Sequence, residues 1–198
     1  MRSSVREPLV VKIGGSLSQR GEVARVLALV AATRRRIVVV PGGGVHADRV
    51  RERQAREGLS DRDAHRLAIE AMEQTGREYM ALQPELVAAH TLSSIREAWR
   101  RRQVPVWMPA QMCARDTRIP EDWSITSDGL DARLAEQLGS VPVLIVKSLR
   151  VPRSVRAEAL AALGIIDPAF AAIVRRSGLR WRIAGPGEER IALEGLFH

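Results

Sequence analysis

Two short glycine loops, each directly after a buried strand, constrain the fold of this 198-residue chain more than any other feature. The first unit, residues 9–17, reads LVVKIGGSL, and the second, residues 37–44, reads IVVVPGGG. Runs of Val and Ile of this length predict buried strands, and the glycines end each strand abruptly. Because parallel strands bring their carboxyl ends to one edge of a sheet, both loops are expected at that edge.

Both loops have the composition of a phosphate site. Gly14 and Gly15 allow a ligand close to the backbone, and their N–H groups can face phosphate oxygens. Gly42–Gly44 precede a helix whose N-terminus adds positive partial charge. Neither loop matches the G-x-x-x-x-G-K-[ST] or the G-x-G-x-x-G pattern. The first loop also permits a simpler interpretation, a tight strand-to-helix turn with an incidental lysine.

Lysine is scarce in this chain, and its positions are informative. Of 31 Lys and Arg residues, only Lys12 and Lys147 are lysine. Each lies at the end of an apolar run, and a buried ammonium group requires a partner. A compact ammonium and a planar guanidinium are not interchangeable beside a crowded phosphate. The pattern indicates two strand ends that each need a point charge, although two surviving lysines could also be chance.

A third informative stretch is WSITSDGLDARLAEQLG, residues 123–139. Ser127 is expected to cap a helix whose buried stripe includes Leu130 and Leu134. Asp128 then falls in the first turn, where the helix dipole favours an ionised carboxylate. Asp128 is therefore a candidate site residue, and plain helix capping is the alternative.

Strands and helices alternate along the chain, which predicts an α/β fold. We expect a three-layer α/β/α sandwich with a mostly parallel central sheet, formed by one domain over residues 1–198. Beyond the first strand, apolar runs predict strands at 37–40, 104–108, 143–146 and 180–184. Helical periodicity predicts helices at 21–34, 45–57, 61–82, 84–90, 95–102, 155–163 and 168–176.

Composition excludes several classes of protein. No apolar run approaches the roughly 18–20 residues that span a membrane, and the N-terminal residues lack a secretory signal. The lone Cys113 excludes an internal disulfide and suits a reducing cytoplasm. The net charge of +8 raises the question of nucleic acid, but the basic residues are dispersed and aromatics are only 4%. We expect neither a membrane nor a nucleic-acid partner.

The histidines show no metal-ligand spacing, and no protein metal site is predicted. His46, two residues after the second glycine loop, is kept as a candidate substrate contact. His65 and His90 are expected to be solvated helix residues. The four tryptophans are widely scattered and are expected in the core or an interface.

The chain resembles the amino-acid kinase superfamily along nearly its whole length. The matching pieces, in order, are VVKIGGSL, VVVPGGGVHAD, SITSDGLDARLA and VLIVKS. Within the superfamily it is most similar to the small kinases of methanofuran synthesis, which phosphorylate an (aminomethylfuranyl)methyl phosphate to the diphosphate. That closer likeness rests on AHRLAIEAMEQTG, IPEDWSITSD and IIDPAF.

The resemblance implies a role for each motif residue. Lys12 and Lys147 would lie on either side of the transferring phosphoryl group, with Asp128 holding them in place. The ATP phosphates would contact Gly14, Gly15 and Ser16. The γ-phosphoryl group or the acceptor would lie over Gly42, Gly43 and Gly44, with His46 and Asp48 toward the acceptor.

Asp48 is expected on the first turn of the helix after the second loop. There it could bind an amine of the acceptor or simply complement the helix dipole.

These expectations combine into an ATP- and Mg²⁺-dependent phosphotransferase with a small anionic acceptor, in the synthesis of a methanofuran-type one-carbon carrier. The resemblance also implies a homo-oligomer. The sequence KSLRVPRSV after Lys147 departs from the Asp-Gly loop of many relatives. A non-catalytic nucleotide- or oxyanion-binding subunit of the same fold is therefore the alternative.

Overall fold

Six parallel strands form one twisted sheet in the computed structural model, which describes residues 7–18, 21–152 and 155–195. The strands are β1 (Leu9–Ile13), β2 (Ile37–Pro41), β3 (Leu86–Ala89), β4 (Val104–Trp107), β5 (Val143–Val146) and β6 (Trp181–Ala184). Their order across the sheet is β3-β4-β2-β1-β5-β6, and every pairing between neighbours is parallel. The predicted α/β fold with a parallel central sheet is confirmed.

Helices cover both faces of this sheet. They are α1 (Gly15–Ser18), α2 (Val23–Ala32), α3 (Gly44–Glu57), α4 (Asp61–Leu82), α5 (Leu92–Arg100), α6 (Ala110–Cys113), α7 (Ser127–Gln137), α8 (Ala157–Ala162), α9 (Pro168–Ser177) and α10 (Glu189–Glu194). The short α6 lies within the stretch between β4 and α7.

Alternation along β1 separates two apolar cores. Leu9, Val11 and Ile13 pack on one face of the sheet, with α2 and α10. Val10 packs on the opposite face, with α7 and α9. Lys12 belongs by the period-2 rule to the face of Val10, and α7 packs against β1 there. The charged side chain of Lys12 therefore lies on the face of β1 against which α7 packs.

The long antiparallel pair α3 and α4 forms as its caps predict. Gly58 ends α3 with φ +69°, the left-handed conformation that glycine adopts at least cost. Ser60 caps α4, and its hydroxyl oxygen accepts a hydrogen bond from the Asp63 N–H. The two helices pack closely against each other beside the second glycine loop.

The prediction of a helix over 84–90 is wrong. Residues Leu86–Ala89 form β3, which pairs in parallel with β4, and Leu86 lies opposite Val104. Leu and Ala are strong helix formers, but over four residues that preference is overridden by parallel pairing with β4. Pro84 shortens the segment to less than a stable helix needs.

The positive charge of the chain is distributed along helix surfaces. Arg53 lies 2.6 Å from Glu57 on α3, and Arg66 lies 2.9 Å from Glu70 on α4. Both are exposed pairs at the i, i+4 spacing of one helix face. Within the described ranges, no helix has the length and apolar character needed to cross a bilayer.

The strand order places a crevice beside β1. The chain leaves β1 toward β2 and later returns to its other side at β5, which makes the β1–β5 boundary the topological switch point. Ligands of open α/β sheets bind at the carboxyl ends of the strands at such a point. Lys12, near the end of β1, and Lys147, directly after β5, flank this boundary.

The first prediction concerns the contact between the two glycine loops. A Cβ at Gly42 would lie 2.6 Å from the Gly15 nitrogen and 3.0 Å from the Ile13 carbonyl oxygen. These are backbone atoms that cannot move aside, so Gly42→Ala should lower the free energy of unfolding by about 2 kcal/mol or more. Urea unfolding followed by circular dichroism measures the loss.

Gly164→Ala is the matched control. Gly164 has φ +68°, but a Cβ there would meet nothing within 4 Å. Its cost should be confined to backbone strain of about 1 kcal/mol. If Gly42→Ala costs no more than Gly164→Ala, the two loops are not held in the close contact described.

Candidate functional site

A buried carboxylate joins the two lysines of the chain. The Lys12 Nζ atom lies 2.7 Å from Asp128 Oδ1, and Lys147 Nζ donates a hydrogen bond of 2.9 Å to Asp128 Oδ2. The Lys12 and Asp128 side chains are only 5% and 7% exposed. The structure thus brings together three residues that are far apart in the sequence, from β1, α7 and the end of β5.

In this Lys–Asp–Lys cluster, Asp128 attracts both lysines while the two ammonium groups repel each other. Burial alone would raise the pKa of Asp128, but the ammonium groups of Lys12 and Lys147 lower it below its ordinary value. Burial and the charge of Lys12 lower the pKa of Lys147, and Asp128 opposes that shift. One carboxylate between two ammonium groups leaves a net positive charge at the crevice.

Asp131 lies one turn further along α7 and is completely buried. Neither of its carboxyl oxygens has a hydrogen-bond partner among the described residues. Burial, followed by the nearby charge of Asp128, raises the pKa of Asp131 well above its ordinary value. A raised pKa favours the neutral form of Asp131, which opposes the positive charge of the cluster less than an ionised carboxylate would.

Asp167 holds the start of α7 in place. Its Oδ2 atom accepts hydrogen bonds of 2.8 Å from the Thr126 N–H, the Thr126 hydroxyl and the Gly129 N–H. Its Oδ1 atom accepts a 2.7 Å bond from the Phe170 N–H, which caps α9. Asp167 therefore ties α9 to the residues on either side of Asp128.

The predicted N-cap at Ser127 is wrong by one residue. Thr126 is the N-cap of α7, and its hydroxyl donates to Asp167 instead of capping its own helix. Asp128 lies in the first turn as predicted, but its carboxylate is engaged by the two lysines. The alternative that Asp128 only caps α7 is therefore wrong.

The glycine amides divide into two groups. The Gly14 N–H donates to the Val146 carbonyl and the Gly42 N–H donates to the Ile13 carbonyl, so both extend the sheet. This corrects the expectation that these two N–H groups face phosphate. Gly15, Gly43 and Gly44 lie where α1 and α3 begin, and their N–H groups have no acceptor among the described residues.

Contact between the loops leaves no room for side chains. A Cβ on Gly15 would lie 2.6 Å from the Gly44 Cα, and one on Gly43 would lie 2.4 Å from the Ala47 Cβ. The starts of α1 and α3 are thereby pressed together with their free N–H groups close to each other. Ser16 lies in α1, but its side chain is outside the described part of the chain.

A cavity of about 280 Å³ opens beside the second loop. Gly15, Gly43 and Gly44 line it beside the glycine loops. Thr75 of α4 donates a 3.4 Å hydrogen bond to the Gly43 carbonyl oxygen, and His65 lies ten residues earlier on α4, about 15 Å along the helix, at the far end of the cavity. The apolar lining residues are Ala47, Ala68, Ile69, Met72, Ile125 and Leu130, and the polar and aromatic ones include Asp48, Arg51, His65 and Trp123.

Trp123 closes the far end of the cavity. Its Nε1 donates a 2.7 Å hydrogen bond to Gln54 Oε1, and the Arg51 guanidinium lies 4.3 Å above the centre of its ring. Both partners belong to α3, so the stretch before α7 is held across the cavity by two contacts. Trp123, which was predicted in the core or an interface, is half-buried and lines this cavity.

The candidate acceptor contacts on α3 differ from their predicted positions. Asp48 lies in the second turn of α3, not the first, lines the cavity, and pairs with Arg51 at 3.3 Å. His46 Nε2 lies 2.6 Å from Glu78 Oε1 of α4, and His46 is not among the residues that line the cavity. The alternative that Asp48 complements the helix dipole is not supported, because Asp48 lies outside the first turn of α3.

The prediction that His65 is a solvated helix residue is wrong. His65 is 5% exposed and lines the cavity from α4. Its Nε2 atom has no hydrogen-bond partner among the described residues. Asp131 and Asp167 were also not predicted as site residues. The available signals were weak: a carboxyl group inside the apolar stripe of α7, and an Asp-Pro pair at the start of α9.

The segment after Lys147 packs against the turn after β6. The Arg150 guanidinium donates hydrogen bonds of 3.0 and 3.3 Å to the Pro186 carbonyl. A Cβ on Gly185 would lie 2.7 Å from the Leu149 carbonyl oxygen. This contact lies at the carboxyl edge of β5 and β6, on the other side of the Lys–Asp–Lys cluster from the cavity.

The chain belongs to the amino acid kinase family, whose sequence profile matches residues 7–149. It is 28% identical over 138 residues to the [5-(aminomethyl)furan-3-yl]methyl phosphate kinase of Methanocaldococcus jannaschii. That match covers 69% of this chain and 63% of the methanogen kinase. The chain therefore spans less than two thirds of the length of this curated relative.

Solved structures share the fold. The uridylate kinase of Archaeoglobus fulgidus superposes with a TM-score of 0.69 at 17% identity, covering 96% of both chains. The UMP kinase of Bacillus anthracis superposes with a TM-score of 0.68 at 12% identity, covering 96% of this chain and 93% of that one. Both confirm the arrangement of sheet and helices that the sequence predicted.

The second prediction concerns the charge of Asp131. In the unfolded chain this carboxyl ionises near its ordinary pKa of 3.8, whereas burial keeps it neutral to higher pH in the folded protein. Folding therefore becomes less favourable as pH rises above about 4, by at most about 1.4 kcal/mol per pH unit. Asp131→Asn removes this dependence, so the variant should gain stability relative to wild type at pH 8 compared with pH 4.5.

Urea unfolding at the two pH values measures the difference. Glu52→Gln, which neutralises an exposed carboxylate on α3, is the matched control. An offset between Asp131→Asn and wild type that is equal at pH 4.5 and pH 8 would contradict a neutral Asp131.

Proposed function

We propose that this chain is a kinase that transfers the γ-phosphoryl group of ATP to the phosphate of a small acceptor. The observation that carries the proposal is the Lys12–Asp128–Lys147 cluster, buried beside two glycine loops with free N–H groups. Phosphoryl transfer needs mainly positioning and charge stabilisation, which such a cluster supplies.

The proposed step is a direct transfer. An acceptor phosphate oxygen forms a bond to the γ-phosphorus as the bond from that phosphorus to the β–γ bridging oxygen breaks. The products are ADP and the diphosphate of the acceptor. The two lysine ammonium groups stabilise the charge that spreads over the transferring group, and Asp128 keeps them apart and oriented. A phosphate acceptor is already ionised near pH 7, so the step needs no general base.

The residues present fit a nucleotide phosphate chain. The close contact of Gly15 with Gly44 leaves free N–H groups at two helix starts, and the neighbouring cluster has excess positive charge. Gly15 would hold ATP phosphates, and Gly43 and Gly44 the γ-phosphoryl group or the acceptor phosphate. Mg²⁺ would come with ATP and shield its phosphate charge. No three His, Cys, Asp or Glu side chains among the described residues are placed to hold a metal ion.

The cavity supports a small acceptor. Its volume of about 280 Å³ is at the lower end of small-molecule sites. The phosphate of the acceptor would lie over the Gly43 and Gly44 N–H groups, and a small ring would fill the apolar middle. An (aminomethylfuranyl)methyl phosphate has these parts in this order, which supports a role in methanofuran-type cofactor synthesis. The name of the methanogen relative supports the same acceptor.

The third prediction tests the transfer itself. Purified protein with MgATP should release ADP and form a diphosphate from (aminomethylfuranyl)methyl phosphate. Lys12→Ala and Lys147→Ala should each lower kcat about 100-fold or more, because each removes a charge that contacts the transferring group. Lys→Arg at either position should not restore the rate, since a planar fork does not replace a point charge.

Two comparisons sharpen this assay. UMP, a larger acceptor, should be phosphorylated poorly, because the cavity is small. Arg102→Ala, which removes a charge from an exposed loop, should leave turnover unchanged. Lys12→Arg with near-normal kcat would contradict the proposed role of the lysine cluster.

The fourth prediction concerns Asp48, which we propose as the carboxylate for an amine of the acceptor. It lines the polar end of the cavity, and its present partner Arg51 is half exposed. Asp48→Asn should raise KM for the aminomethyl acceptor about tenfold and leave KM for the analogue without the amine nearly unchanged, because only the former loses a charge contact. Equal KM changes for the two acceptors would remove Asp48 from amine recognition.

His46 is the weaker candidate for substrate contact. Its imidazole is engaged by Glu78 and it does not line the cavity. We propose that it fixes α3 against α4 through its contact with Glu78.

One observation favours a second function, a non-catalytic nucleotide- or oxyanion-binding subunit. Arg150 fastens the segment after Lys147 to Pro186, at the sheet edge beside the lysine cluster. ATP binding measured by calorimetry, without ADP release in the presence of any acceptor, would support this alternative over the kinase.

We also propose a homo-oligomer in the cytoplasm. The family resemblance supports the oligomer. The lone Cys113 is buried, and burial raises the pKa of its thiol to about 12, so the thiol is protected in its reduced form. Light scattering on the purified protein measures the oligomeric state.

A further inference from the structure

The polar end of the cavity contains a group that the proposed reaction leaves unused. His65 projects from α4, is 5% exposed, and lines the cavity opposite the glycine loops. Its Nε2 atom is shielded from solvent and has no hydrogen-bond partner among the described residues. Buried polar atoms without partners are rare because each costs free energy.

Neighbouring charges indicate what kind of group His65 would meet. Burial lowers the pKa of His65 below its ordinary value, so the ring is neutral near pH 7. The carboxylates of Asp122 and Glu121 are close enough to act on its pKa in the opposite direction, and Asp48 of α3 lines the same cavity. A neutral imidazole nitrogen surrounded by negative charge favours a hydrogen-bond donor, cationic or neutral, over an anion.

The shape of the cavity fixes where that donor must be. Thr75 of α4 contacts the second glycine loop, and His65 lies ten residues earlier on the same helix, about 15 Å away, with Ile69 between them. Trp123 lines the same cavity and is held against α3 by Gln54 and Arg51. A ligand that fills the cavity therefore carries its phosphate at one end and meets His65 with the other.

From this arrangement we propose that His65 determines acceptor specificity by accepting a hydrogen bond, through Nε2, from a donor group at the end of the acceptor away from its phosphate. The proposal rests on the proposed function for the identity of the cavity as the acceptor site. It adds a selection rule: acceptors with an amine or hydroxyl at that end bind, and analogues with a methyl group there leave a buried nitrogen unpaired. Such a loss discriminates more strongly than a missing apolar contact.

Equilibrium binding tests the proposal without requiring turnover. Trp123 lines the cavity, so quenching of tryptophan fluorescence reports occupancy, and calorimetry checks the Kd values. The ligands are (aminomethylfuranyl)methyl phosphate, its hydroxymethyl analogue and its methyl analogue. Wild type should bind both donor-bearing ligands at least about tenfold more tightly than the methyl analogue.

Substitutions then assign the discrimination to one atom. His65→Phe keeps a ring of similar shape without the nitrogen, and the ratio of Kd values should fall to within about threefold of unity. His65→Gln keeps a hydrogen-bonding side chain and should recover part of the ratio. His90→Phe changes an exposed histidine after β3 and is the matched control, with the wild-type ratio retained. Because the readout is a ratio of affinities within one variant, a smaller folded fraction does not change it.

The outcomes separate the two proposals. Discrimination that persists in His65→Phe, wild type that does not distinguish the ligands, or failure of all three to bind would overturn the role of His65. Binding with the expected ratios but no ADP release with MgATP would support the role of His65 and overturn the kinase activity.

Discussion

The rest of the structure depends on one carboxylate that holds two buried ammonium groups. Removing three charged side chains from water costs several kcal/mol for each ion, and one carboxylate cannot balance two lysines. Lys12 and Lys147 nevertheless lie within 2.9 Å of Asp128. The surplus positive charge at the crevice is favourable only when an anion enters it, and a transferring phosphoryl group is such an anion. The fold therefore stores electrostatic energy that a bound ligand releases.

Keeping that carboxylate in position explains several features of the surrounding chain. Asp167 binds Thr126 and Gly129 on either side of Asp128. A Cβ at Gly129 would lie 2.8 Å from Asp167 Oδ1 and 2.7 Å from an Ile125 side-chain carbon, so only glycine permits this approach. The start of α7 is thus fixed from α9, and the lysines are fixed by the central strands β1 and β5. The backbone positions from which both lysines extend therefore belong to, or directly follow, rigid strands.

The sequence predicted features that depend on a few neighbouring residues and missed features that depend on contacts between distant parts of the chain. The glycine loops, Lys12, Lys147 and the turn that carries Asp128 each follow from a few neighbouring residues, and so does the parallel α/β fold. The strand β3 was missed because its four residues have the local pattern of a helix and become a strand only through pairing with β4. His65 and Asp131 were missed because their burial depends on elements distant in the chain. Histidine and aspartate are usually exposed, so residue type alone indicated surface positions for both.

The glycines show how one residue type serves two physical purposes at the same edge. The Gly14 and Gly42 N–H groups donate hydrogen bonds to carbonyl oxygens of neighbouring strands, which fixes the ends of β1 and β2. Gly15 lies so close to Gly44 that no side chain fits at position 15, which keeps the donors at the starts of α1 and α3 close together. The first pair makes the loops rigid, and that rigidity keeps the second pair in place without a ligand. An anion that binds there meets donors that are already oriented, so little of its binding energy is lost in ordering the loops.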